Sequence, residues 1–231
     1  MADYDIVINM QGIPAELTAR ALLHETFSRM YWLRGVKAAT RQYDRVIKMD
    51  SVPAELKAYA LMRRACLRTG SLGYSRSLKD YDVILTMSGI STDYKAEALL
   101  SKRYAHHRLF QYKEEQACIQ EGIRMIGFSS KLRVWFLFRA ADEALQLNEV
   151  LAENYARAIA EYTEICDMKD ATIRQRARAM LARSYCYFRT GNYNETVKDC
   201  DAFISIAMGT LSEKQECLER RKESSKFLKG R

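Results

Sequence analysis

Proline occurs only twice in the 231 residues, histidine three times and glycine ten times, and no apolar run approaches the length of about 18–20 residues that a bilayer-crossing helix needs. With few helix breakers and an abundance of Ala, Leu, Arg, Lys and Glu, the chain is composed for helices. Its hydrophobic fraction of 48% leaves no extended disordered segment. The opening Met1-Ala2-Asp3-Tyr4-Asp5 is acidic where a secretory signal would be basic and then apolar, so no export signal is expected. Cys66, Cys118, Cys166, Cys186, Cys200 and Cys217 form no C-x-x-C pair, which points to reduced, buried thiols in a cytoplasmic protein. His24, His106 and His107 belong to no metal-binding spacing, and no glycine-rich loop follows a strand. Neither metal, cofactor nor catalysis is expected. The net charge of +8 admits an acidic partner, yet acidic and basic residues are interleaved as on solvated helix faces.

What is present is a repeat. A tyrosine or its substitute is followed by apolar residues three and four positions on and a methionine two further: Tyr4-Val7-Ile8-Met10, Tyr43-Val46-Ile47-Met49, Tyr81-Ile84-Leu85-Met87, Ile119-Gly122-Ile123-Met125 and Tyr162-Ile165-Cys166-Met168, with a weaker copy at Cys200-Phe203-Ile204-Ile206. The lead positions 4, 43, 81, 119, 162 and 200 are separated by 39, 38, 38, 43 and 38 residues. Units of this size cannot bury an apolar face alone, so neighbours must cover one another.

A second landmark follows each methionine. Nine residues on stands a small residue (Ala19, Ala58, Ala96, Val134, Ala177) and twelve on a large aliphatic one (Leu22, Leu61, Leu99, Leu137, Met180), three-residue offsets that share one helix face. Each unit therefore contains two helices. Pro14 and Pro53 are expected in a first turn, where the amide that proline lacks would have no helical partner. Arg34-Gly35, Thr69-Gly70-Ser71-Leu72-Gly73 and Thr190-Gly191-Asn192 are expected as the turns that end the first helices. One array is expected over residues 3–211, followed by a charged C-terminal capping helix and tail over 212–231, with Ser212-Glu213-Lys214-Gln215 as a capping box and Leu218 in the large aliphatic position.

The segment from Ala182 to Cys200, with Tyr185-Cys186-Tyr187-Phe188-Arg189-Thr190-Gly191-Asn192-Tyr193 across its turn, resembles a tetratricopeptide repeat, and Ser77-Leu78-Lys79-Asp80-Tyr81-Asp82 and Ala158-Ile159-Ala160-Glu161-Tyr162 look like that family's second helix. The present units are longer than the usual 34 residues. The resemblance implies an all-α fold, an α-solenoid of antiparallel helix pairs in a right-handed superhelix, whose first helices line a concave groove for peptides or helices.

Carried onto this chain, the groove stripe lies ten, thirteen and seventeen residues after each methionine. It reads Arg20, Leu23 and Phe27; Tyr59, Met62 and Cys66; Glu97, Leu100 and Tyr104; Trp135, Phe138 and Asp142; and Arg178, Leu181 and Tyr185. Aromatic residues and methionine suit peptide capture, with Tyr104, Trp135 and Tyr185 the preferred contacts. The lysine and asparagine of family members that clamp a chaperone's terminal carboxylates are replaced by Leu23, Phe27, Met62 and Cys66, so that specificity is not expected. The function expected is a protein–protein interaction scaffold, with self-association possible through the open edge at Tyr4–Met10. The alternative is a helical-repeat nucleic-acid binder, for which Arg63, Arg64, Arg103, Arg139 and Arg183 would supply the charge.

Overall fold

The computed structural model describes residues 2–30, 35–68, 71–146, 151–206 and 209–229, and every regular element among them is an α-helix. The chain separates into two units, Met1–Phe128 and Ser129–Arg231. The first holds α1 (Ala2–Asn9), α2 (Ala15–Met30), α3 (Val36–Lys48), α4 (Ala54–Leu67), α5 (Ser71–Thr86), α6 (Thr92–Arg108) and α7 (Tyr112–Arg124). The second holds α8 (Ser130–Leu145), α9 (Ala152–Asp167), α10 (Ile173–Arg189), α11 (Tyr193–Ser205) and α12 (Leu211–Lys229). Within each unit every helix packs on the next in sequence; α2 also touches α4, and α10 touches α12.

The repeat landmarks make the cores. Ala19, Ala58, Ala96, Val134 and Ala177 are all buried, as are Leu22, Leu61, Leu99 and Leu137, so the small residue admits the neighbouring helix and the large one fills the space beside it. On the second helices Tyr43, Tyr81, Ile119, Tyr162 and Cys200 are buried along with Val46, Ile84, Ile165 and Phe203. Tyr4 of α1 differs: it is 37% exposed and stacks on His24 at 6.1 Å. The expectation of buried cysteines holds for Cys118, Cys186, Cys200 and Cys217, whereas Cys66 is exposed.

A polar device recurs with the same period. The residue one after a lead position accepts from a side chain twenty-one after it: Asp44 from Arg64 at 2.5 Å, Asp82 from Lys102 at 2.7 Å, Thr163 from Arg183 at 2.9 Å and Asp201 from Arg221 at 2.5 Å. Arg64 and Arg183 turn the rest of their guanidinium groups to the carboxylates just before the next lead. Arg64 grips Asp80 through Nε at 3.0 Å and Nη2 at 2.6 Å, and Arg183 grips Asp199 through Nε at 2.8 Å and Nη2 at 2.7 Å. One first-helix arginine thus ties together the second helices on either side of it, by the bidentate geometry that favours arginine over lysine.

The turns follow helix-capping physics with some departures from expectation. After α10, Asn192 N–H donates to Tyr187 C=O at 2.8 Å and Gly191 N–H to Phe188 C=O at 3.1 Å, with Gly191 at φ 76°. This is the Schellman closure, for which glycine is the natural residue. The turn after α6 makes the same two bonds, Gln111 to His106 at 3.0 Å and Phe110 to His107 at 3.1 Å, but its left-handed position is held by Phe110 at φ 58° with the ring 77% exposed. A Cβ in that conformation costs roughly 1–2 kcal/mol, and an exposed ring recovers little of it. Phe110→Gly is therefore expected to raise stability by about 1 kcal/mol, read as a higher urea midpoint at unchanged m; an unchanged or lower midpoint would show that the ring's contact with Tyr112, 6.4 Å between centroids, outweighs the strain.

Pro14 and Pro53 sit one residue before the helical turn expected of them. The Pro53 carbonyl accepts from Leu56 and Lys57 at 3.0 and 3.2 Å, and the Pro14 carbonyl from Leu17 and Thr18 at 3.0 and 3.3 Å. Of the expected turn at Thr69–Gly73, Thr69 and Gly70 lie outside the described residues, while Ser71 already opens α5 and Gly73 is helical. The capping box of α12 is not Ser212–Gln215 but Thr210 with Glu213: Thr210 N–H donates to Glu213 Oε2 at 2.7 Å and Glu213 N–H to Thr210 Oγ1 at 3.2 Å. Leu218, expected to be covered, is 50% exposed; α12 turns Cys217, Arg220 and Ser224 inward instead.

Candidate functional site

In the first unit, α2, α4 and α6 bring much of the expected stripe to two adjoining cavities. One, of about 560 Å³, is lined by Arg20, Leu23 and Tyr59 together with His24, Glu55, Leu56, Arg63 and Tyr94. The other, of about 510 Å³, is lined by Tyr59, Met62, Cys66, Glu97 and Leu100, with Arg63, Ser91, Asp93, Tyr94 and Ser101 completing it. Tyr59, Arg63 and Tyr94 belong to both. Both volumes fall in the range of about 300–1,000 Å³ found for ligand pockets.

Local folding places these groups. Pro53 caps the start of α4 and leaves Glu55 in its first turn, where it lines the first cavity. Ser91 starts α6, its Oγ accepting from Tyr94 N–H at 3.3 Å, which sets the Tyr94 ring at the junction of the two cavities. The Arg63 guanidinium lies over the Tyr59 ring, 4.9 Å from its centroid, and Arg20 is held by Glu16 at 2.8 Å. Burial, reinforced by the Glu55 and Glu97 carboxylates, holds the Tyr94 phenol above its ordinary range, so it remains a hydrogen-bond donor. The lining thus combines aromatic faces, a thioether and aliphatic carbon with charged groups, of which Arg20 and Arg63 are held by Glu16 and the Tyr59 ring.

Tyr104 lies on the same stripe but outside these two cavities. It is 46% exposed and meets Tyr74 edge to face at 6.0 Å. The side chain of Phe27 lies outside the described residues.

The stripe of the second unit packs differently. Phe138 is buried against Tyr162, with the Arg178 guanidinium 4.6 Å from its ring centroid. Asp142 hydrogen-bonds Tyr162, whose phenol is pushed up by burial and then by that carboxylate. Leu181 packs on the cluster of Ala177, Cys200, Phe203 and Cys217. Trp135 is half-buried, edge-on to Phe136 at 5.7 Å and with Arg139 at 5.7 Å from its ring. Tyr185, 37% exposed, receives a hydrogen bond from Arg189 at 2.9 Å and carries Arg220 5.4 Å from its ring. Phe138, Asp142 and Leu181 are thus engaged within their own unit, while Trp135 and Tyr185 keep part of their surface exposed.

Five of the eight lining residues that the stripe omits obey the same arithmetic, Glu55, Ser91 and Asp93 being the exceptions. Leu56 and Tyr94 stand seven residues after a methionine, and His24, Arg63 and Ser101 fourteen after one. Offsets of seven, ten, fourteen and seventeen follow one helix face as closely as ten, thirteen and seventeen, so extending the stripe by one turn at its start and one residue in breadth finds them. Of the arginines considered for nucleic acid, Arg64, Arg103, Arg139 and Arg183 have acidic partners in Asp44 and Asp80, Glu115, Asp142 and Asp199. Glu115 is shared: His107 Nδ1 lies 2.9 Å from it, while His106, on another face and buried, pairs with Gln111 at 2.8 Å.

Among the described residues no helix is long and apolar enough to cross a membrane, and no group of three or more His, Cys, Asp or Glu side chains is placed to hold a metal ion. No known family model matches the chain, and no curated protein matches it.

Proposed function

We propose that the chain is a tetratricopeptide-like α-solenoid that acts as a protein–protein interaction scaffold, holding a peptide or helical segment of a partner across the first helices of residues 1–128, without catalysis. The observation that supports it is the adjoining pair of cavities along α2, α4 and α6, joined at Tyr59, Arg63 and Tyr94. Two neighbouring apolar recesses with a shared aromatic divider suit successive anchor side chains of one segment, in the manner of i and i+3 or i+4 anchors on a helix. Rings and Met62 bury much area at low entropic cost.

Selection of binding peptides from a library on the full chain, followed by titration of the selected peptide against a Tyr59→Ala/Leu100→Ala variant, tests this reading. Affinity is expected to fall by about 30-fold, the equivalent of ~2 kcal/mol for a hot-spot ring, with the melting profile nearly retained. Equal affinity for both proteins would remove the groove from the account. The nucleic-acid alternative requires cations free to meet phosphates, and the pairing of four of its five arginines weighs against it. Binding that fell steeply with added salt and disappeared on nuclease treatment would favour that alternative instead.

A further inference from the structure

The inner face of α12 carries a group of reactive side chains that the interaction scaffold does not use. Cys200 of α11 and Cys217 of α12 are both fully buried and belong to one packed cluster with Ala177 and Phe203. The two thiols meet in that cluster beside the Ser184 hydroxyl of α10, which donates to Leu181 C=O at 2.8 Å. Behind them stands Arg220, itself only 7% exposed, which donates to Ser184 Oγ at 2.7 Å and to the exposed carboxylate of Glu216 at 2.7 Å.

A cysteine in a purely apolar core behaves as an inert small hydrophobe. Here a buried guanidinium and a hydroxyl are built around two thiols in contact. The surroundings divide the pair: the hydrogen bond from Cys217, with those of Ser184 and the Arg220 charge, holds the Cys200 thiol below its ordinary range, and the same bond with burial holds Cys217 above it. That is the division between an attacking and a resolving thiol. The other four cysteines are free as well; of these, Cys166 packs on the core cluster that includes Cys186.

We propose that Cys200 and Cys217 are a redox dithiol that closes to an intramolecular disulfide, with a small-molecule disulfide of the glutathione type as oxidant, fastening α12 to α11. The Cys200 thiolate attacks one sulfur of the oxidant, forming a mixed disulfide and expelling one small thiolate. Cys217, losing its proton to solvent, then attacks Cys200 Sγ and expels the second. Two protein thiols and one small disulfide become one protein disulfide and two small thiols. Because both sulfurs are buried, reaction proceeds through transient local opening of α12 from α11.

The test incubates the full chain in glutathione buffers of increasing oxidised fraction, quenches with acid, alkylates under denaturing conditions and maps the cysteines by mass spectrometry. The expected product joins the Cys200 and Cys217 peptides with loss of two hydrogens while Cys118, Cys166 and Cys186 are alkylated. Its melting temperature is expected to rise by about 5 °C or more, since the closed loop restricts the unfolded chain. Cys217→Ala is expected to trap glutathione on Cys200, and Cys200→Ala to leave Cys217 unmodified. Full alkylation of both thiols in buffers that already glutathionylate the exposed Cys66 would overturn the proposal. So would a stable glutathione adduct on Cys200 in the unmutated chain, or a Cys200–Cys217 disulfide that lowers the melting temperature.

Discussion

Arg183→Ala is expected to lower the stability of residues 129–231 by about 3–5 kcal/mol, the range for removing one member of a buried ion pair. Both partners are largely hidden, with side-chain exposures of 14% for Arg183 and 9% for Asp199. The double hydrogen bond to Asp199 also holds the guanidinium above its already high range, so it is charged at every working pH. Its loss leaves the Asp199 carboxylate buried among α10 and α11 without its bidentate partner, and removes the bond to Thr163 at 2.9 Å that reaches back to α9. Urea unfolding followed by tryptophan fluorescence, where Trp135 reports on this unit, measures the change. The pair is a tie between helices more than a source of net stability, so Arg183→Leu combined with Asp199→Leu should recover much of the loss. Lys102→Ala, whose partner Asp82 is 56% exposed, should cost less than about 1 kcal/mol. A loss at Arg183 no larger than that at Lys102 would mean that the recurring tie does not hold the helices in register.

Gly73→Ala is expected to destabilise the first unit by about 2 kcal/mol, although helix propensity alone assigns the change a gain of about 1 kcal/mol. A methyl group at Gly73 would press on the carbonyl carbon and oxygen of Arg68, well inside van der Waals contact, and backbone atoms have little freedom to yield. Ser77, one turn further along α5, confirms how tightly the helix rides on the end of α4: its hydroxyl meets the carbonyls of Ala65 at 2.8 Å and Arg68 at 3.3 Å. Thermal unfolding of the variant decides between the two signs. A higher melting temperature would mean that α5 can move away from Arg68 at little cost, and the glycine would then be there for no packing reason.

Much of the helix architecture can be read from apolar spacing, because burial alone sets the small residue at nine and the large one at twelve. The buried series Ala19, Ala58, Ala96, Val134 and Ala177 is in the sequence in plain view. The ties Asp44–Arg64, Asp82–Lys102, Thr163–Arg183 and Asp201–Arg221 are as periodic, but they connect successive helices across twenty residues, and their chemistry changes from carboxylate to hydroxyl and from arginine to lysine. A search for apolar faces passes over them. The separation of the chain near residue 128 falls inside the one interval that departs from 38–39 residues, the 43 from Ile119 to Tyr162, but a longer interval does not by itself mark a boundary between units.

The groove stripe was half legible for a related reason. Offsets of ten, thirteen and seventeen place a residue on a face but do not say how deep that face lies. Tyr59, Met62 and Leu100 open into cavities, while Phe138 and Leu181, at the same offset as Met62 and Leu100, sink into packed clusters because Tyr162 and Phe203 offer them large apolar partners. The α12 register shows the same limit: Leu218 occupies the aliphatic position in sequence, yet Cys217, one residue earlier, is the side chain that α11 covers.

The measurement that bears most directly on the scaffold reading is photo-crosslinking of a library-selected peptide, carrying a benzophenone at its central anchor, to the full chain, with the adduct located by mass spectrometry. Adducts at Met62 or its cavity neighbours Tyr59 and Leu100, competed away by unmodified peptide, are the expected result. Competed adducts confined to residues 129–231, or to the outer charged face of α12, would contradict it and place the binding surface elsewhere.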